Sequence, residues 1–81
     1  MSEKKLSEAE VKSVIALFSN GEYQQAIDEI AILSKNFPKS HMLHNIKGAC
    51  YAGLGQLDSA VKSYEKAIII KPDYAKAHFN L

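Results

Sequence analysis

At 81 residues, 47% of them apolar, the chain has material for one small domain that buries only about 60% of the surface its unfolded form exposes. Ten lysines against nine acids leave a formal charge of +1, so the charge balance points neither to nucleic acid nor to an anionic membrane. The chain has no arginine to clamp a phosphate or carboxylate bidentately, no apolar run approaching the roughly 18 residues of a membrane span, and one cysteine, which rules out an intrachain disulfide.

Residues 1–6 mix charged and small side chains and read as a flexible leader without the apolar run of a secretory signal; a cytoplasmic chain is expected. Ser7 and Glu10 have the spacing of a capping box, in which each side chain takes up a free backbone amide of the other residue at a helix start. Val11, Val14, Ile15, Leu17 and Phe18 follow at helical spacing, and Asn20-Gly21 tolerates the left-handed turn that ends a helix, so a first helix is predicted over about 7–19. Tyr23, Ala26, Ile27, Ile30, Leu33 and Phe37 form a second stripe, closed by Pro38, which predicts a helix over about 23–36. Ser40 can cap a third helix, about 41–54, with an inner stripe of Leu43, Ile46 or Lys47, Cys50, Tyr51 and Leu54 and a closing Gly55. Asp58 can cap a fourth, about 58–71, with Leu57, Ala60, Val61, Tyr64, Ala67 and Ile68 on its stripe. Gly48 falls inside the third helix, where a glycine costs about 1 kcal/mol relative to alanine, and its expected use is close approach to the paired helix at Ala60.

The four helices are two copies of one unit. A shift of thirty-four residues lays Gly55 on Gly21, Ala60 on Ala26, Val61 on Ile27, Tyr64 on Ile30, Ala67 on Leu33 and Pro72 on Pro38, and Ala75, His78 and Asn80 open a third copy on His41, His44 and Ile46. Gly48, Tyr51, Ala60, Tyr64, Ala67 and Pro72 match the glycine, aromatic, alanine and proline pattern of the tetratricopeptide repeat family, which the chain resembles from Ser7 to Leu81. The resemblance implies an all-α fold of helix-turn-helix repeats stacked as a short right-handed solenoid: repeat 1 over 7–40, repeat 2 over 41–74, and a truncated first helix of repeat 3 over 75–81. The first repeat departs from the pattern, with Val14 in the place of Gly48 and Leu17 in the place of Tyr51, which predicts a slightly wider helix pair.

Fold does not carry function, so function has to be argued from the surface. In the family the first helices line a concave groove, and by resemblance the residues presented to a partner are Val11, Ile15 and Phe18, then Met42, Asn45, Ile46 and Ala49, then Lys76, Phe79 and Asn80. This lining is largely apolar, as suits a bound peptide or helix. The same apolar residues of helix one would equally serve to pack under the leader or against a neighbouring chain. Chaperone-adaptor members of the family hold a C-terminal carboxylate with lysine and asparagine, but the corresponding positions are Val11, Ile15 and Ile46, and only Lys76 remains of such a clamp.

Catalytic chemistry finds no constellation: the serines and aspartates are accounted for as caps, and no glycine-rich phosphate loop precedes a helix. His41 and His44 share a helix face without a third ligand in reach, so they are expected to be solvated surface residues, and neither a metal nor a cofactor is expected. The leading expectation is a protein-protein interaction module that is not an enzyme. The alternatives are a repeat region that positions substrate for, or dimerises, a transferase-type domain beyond Leu81, and a purely structural array. Ile68, Ile69 and Ile70 are more apolar residues than one stripe hides, which adds an expectation of self-association through the C-terminal end.

Overall fold

The computed structural model describes residues 6–72, and within them the chain forms four helices: α1 (Glu8–Ser19), α2 (Tyr23–Asn36), α3 (His41–Gly53) and α4 (Leu57–Ile70). The start of α1 is held by the reciprocal box, with Ser7 Oγ accepting from the Glu10 amide at 3.1 Å and Glu10 Oε1 accepting from the Ser7 amide at 2.9 Å. Ser40 caps α3 through its Oγ, which accepts from the Leu43 amide at 3.3 Å. The expected cap at Asp58 is not made. The helix α4 begins at Leu57 with Gln56 at its N-cap, so Asp58 lies in the first turn and faces the positive end of the helix dipole instead.

The repeat is visible in the backbone hydrogen bonds. The amides of Gly21 and Glu22 bond to the carbonyls of Phe18 and Leu17 at 3.0 and 2.9 Å, and those of Gly55 and Gln56 bond to Ala52 and Tyr51 at the same two distances. This is the paired bonding of a Schellman turn, and it needs a left-handed residue, supplied by Gly21 at φ 78° and Gly55 at φ 79°.

Each helix packs chiefly on its neighbours in sequence, with a smaller contact between α1 and α3, as in stacked helical pairs. The pair α3–α4 is packed far more extensively than α1–α2. Gly48 lies at this approach: a β-carbon there would stand 2.8 Å from ring atoms of Tyr64, so the nearest neighbour of the glycine is the Tyr64 ring, one turn along α4 from Ala60. At the matching place in α1 stands Val14, fully buried. A second such contact joins α2 to α3, where the Tyr23 ring covers Gly53 at 2.6 Å from its missing β-carbon.

Two apolar clusters make the core. One joins Val14, Ile30, Leu33 and Leu43, with Leu6 and Phe37 packed on it, so the last residue of the expected leader is tied down. The other joins Ala26, Ile27 and Cys50, with Leu17, Tyr23 and Tyr51 around them, and Ile46 touches both. On α4 the buried face is Ala60, Ser63, Tyr64 and Ala67. Leu57 and Val61, both expected on the inner stripe, lie at the edge of that face and are exposed, as is Leu54 at the end of α3.

Candidate functional site

The helices α1 and α3, the first of each pair, lie in contact. From α1 come Ile15, 44% exposed, and the half-buried Val11 and Phe18, the latter with its ring centroid 5.7 Å from that of Tyr23 and tilted by 54°. From α3 come Met42, 37% exposed, and the half-buried Ala49. Asn45 is only 9% exposed and Ile46 is packed into both core clusters, so neither stands open on the surface as the resemblance implied. Lys76, Phe79 and Asn80 lie outside the described residues. The accessible residues of the expected lining are therefore apolar, with exposed Lys12 next to Val11 in sequence.

A second concave place lies between α2, α3 and α4, and the sequence pattern did not announce it. His44, expected on a solvated face, is 6% exposed and has Nε2 at 3.3 Å from the Pro38 carbonyl oxygen. The histidine is covered because the α2–α3 turn folds over it, with Pro38 against the ring. Burial lowers its pKa below the usual 6.5; the Pro38 hydrogen bond opposes this shift, and the charges of Lys47 and Lys66 add to it. His41 is half-buried and shifted the same way, first by burial and then by Lys71. Lys47 is also held below the ordinary lysine value by burial and by Lys66.

Nucleophilic chemistry has no footing at Cys50, the buried thiol of the second core cluster, whose pKa burial raises to about 11. Among the described residues no three His, Cys, Asp or Glu side chains converge as metal ligands, and no helix is long and apolar enough to cross a membrane.

Residues 48–81 match the family model described as a TPR repeat. Among characterised proteins the chain is similar to anaphase-promoting complex subunit 3 of Dictyostelium discoideum, 34% identical over 64 residues, or 79% of this chain and 7% of that protein. It is similar to a peroxisomal targeting signal receptor of Candida glabrata, 27% identical over 67 residues, covering 83% of this chain and 11% of the receptor. It is also similar to an Hsp70-Hsp90 organising protein of Plasmodium falciparum, 31% identical over 61 residues, covering 75% of this chain and 24% of that protein. The chain thus spans less than a quarter of the length of each of these relatives. No solved structure matches it. With the thirty-four-residue period carried through both sequence and turn hydrogen bonds, and with α3–α4 closed by an aromatic ring on a glycine, the chain belongs to the tetratricopeptide repeat family.

Proposed function

We propose that the chain is a protein-interaction module that takes an apolar peptide or helix of a partner along the strip formed by α1 and α3. The observation that carries this reading is that α1 and α3, which lie in contact, each leave a large apolar side chain in water, Ile15 at 44% and Met42 at 37% exposed. Relatives named as a targeting-signal receptor and as an organiser of Hsp70 with Hsp90 support a role in holding other proteins. The apolar Val11 and Ile15 favour side-chain burial over charge as the source of affinity, in line with helix-in-groove recognition.

Selection of a displayed peptide library against the chain tests the reading. Enriched peptides should be amphipathic, and their binding should be lost in Met42→Glu and Ile15→Glu and kept in Ile32→Glu, a control at an exposed residue of α2. Failure to enrich any sequence, or enriched peptides indifferent to both groove substitutions, would remove the groove as the binding surface. Ile46 is unsuitable for this purpose, since a charge there would disturb both core clusters.

A second reading is self-association through the end of α4, favoured by Ile69, which is 76% exposed next to the half-buried Ile68 and Ile70.

A further inference from the structure

The turns inside the two helix pairs are held by their own backbone, and the turn that joins repeat 1 to repeat 2 is not. Gly21 and Gly55 are left-handed, and their turns close with hydrogen bonds of 2.9 and 3.0 Å. The α2–α3 turn contains no left-handed residue. Its Ser40 amide reaches the Phe37 carbonyl at 3.2 Å, the His44 amide reaches the Ser40 carbonyl at 3.4 Å, and the Leu43 amide reaches Ser40 Oγ at 3.3 Å. All three are longer than the common length of about 2.9 to 3.0 Å. One side chain ties this turn to the helix that follows it: His44 is buried, with Nε2 at 3.3 Å from the Pro38 carbonyl oxygen.

The tie suits a neutral ring. With the proton on Nε2 donating to Pro38, Nδ1 is a buried acceptor without a partner, and a second proton there would be a buried charge with nothing to donate to. The charged groups that face the ring are themselves cations, Lys47 on its own helix and Lys66 on α4, while α2 brings to the same groove the uncharged Ser34 and the turn brings the Pro38 carbonyl. None of the described residues lining that groove is a carboxylate. His44 also closes the first turn of α3, where the helix dipole disfavours a cation, and α3, unlike α1 and α4, has no acidic residue there to offset it. A charged ring would strengthen the Pro38 hydrogen bond, but the cost of burying it is larger.

We propose that His44 is an acid-sensitive catch on the joint between the two repeats: a proton at Nδ1 puts an unpaired charge beneath the Pro38 turn, and the turn opens so that the ring reaches water. The opening is local. Phe37, which packs on the first core cluster, moves out with the turn, while the glycine turns within each pair stay closed because they do not involve the ring. The joint is therefore closed at neutral pH and loosened in acid.

Amide hydrogen exchange of the full chain by NMR from about pH 7.5 to about 5, corrected for intrinsic rates, tests the catch. The closed joint has the lower ring pKa, so its stability is complete above about 6.5 and is lost as pH falls through the folded value. Protection at the Ser40, Leu43 and His44 amides is expected to fall by up to about tenfold per pH unit in that window, with the Gly55 and Gln56 amides unchanged. His44→Gln should make the profile of the joint flat. The double variant Lys47→Met/Lys66→Met, which keeps the ring and removes the facing charges, should raise the pH at which the ring titrates and reduce the total loss of protection, which a histidine serving only as packing would not do. That pair decides the matter if His44→Gln does not fold. Protection at the joint that is indifferent to pH, an equal loss in all four helices, a ring that titrates at or above 6.5, or a double variant with an unchanged profile overturns the proposal.

Discussion

Gly48 and Tyr64 show how one contact sets a local geometry. A glycine inside a helix ordinarily gains stability on replacement by alanine, by about 1 kcal/mol. Here the added methyl group would meet the Tyr64 ring at 2.8 Å, and Tyr64 is itself buried, so the ring has no free space into which to swing. The clash therefore outweighs propensity, and Gly48→Ala is expected to destabilise the chain by about 1 to 3 kcal/mol. A shift of this size lowers Tm by several degrees, roughly 4 to 8 °C for each kcal/mol in a chain this small, and a Tm at or above that of the parent would refute it. His44 gives a second test at the same scale. Its folded pKa is lowered, so the neutral ring is favoured by folding and the unfolded chain binds more protons as pH falls below about 6.5. The contribution is complete above that value and is lost as pH drops through the folded pKa. Thermal melts between about pH 5.5 and 7.5 should show stability falling toward acid in the parent, with a flatter profile in His44→Gln.

The elements differ in how their ends are secured. The start of α1 is held by both halves of a capping box, and α3 by a single serine, whereas α2 and α4 begin without a side-chain cap. The uncapped pair can rely on the Schellman turns before them and on burial of their inner faces against α3. The helix α1 is less well placed, because it lies at the end of the stack and buries only Val14 completely. Ser7→Ala is accordingly expected to cost about 0.5 to 2 kcal/mol and to speed hydrogen exchange at the first-turn amides of α1 while leaving α3 and α4 unchanged. Uniform acceleration across all four helices would mean that the chain opens as one unit and that the cap does not act locally.

Among the described residues Ile46 joins the two clusters, and α3 packs on the other three helices. A repeat array stabilises each unit by its neighbours, so apolar surface at the end of a stack is the place for a further copy to add. With Ile69 76% exposed, light scattering over a concentration series should show the mass rising above that of the monomer, and Ile69→Lys should hold the chain monomeric. A parent that remains monomeric to about millimolar concentration excludes association through this end.

Which parts of this molecule are legible in the chain alone follows from the range of the interactions. The capping box at Ser7 and Glu10, the serine cap at Ser40 and the left-handed glycines at Gly21 and Gly55 each act over three to five residues, so their residue types and spacing state them directly. The thirty-four-residue register is equally open to reading, because it recurs in residue types that only one packing geometry requires. What the chain alone left undecided depends on the distance between helix axes. The Tyr64 ring lies on Gly48 and the Tyr23 ring on Gly53, and on α4 the buried face is Ala60, Ser63, Tyr64 and Ala67, with Leu57 and Val61 left exposed. Asn45 is buried, Ile46 is packed into both clusters, and His44 is covered against Pro38 of the α2–α3 turn, beside two lysines drawn from different helices. Helical periodicity gives the direction of a side chain from its own axis, and only the neighbouring axes decide whether water remains there.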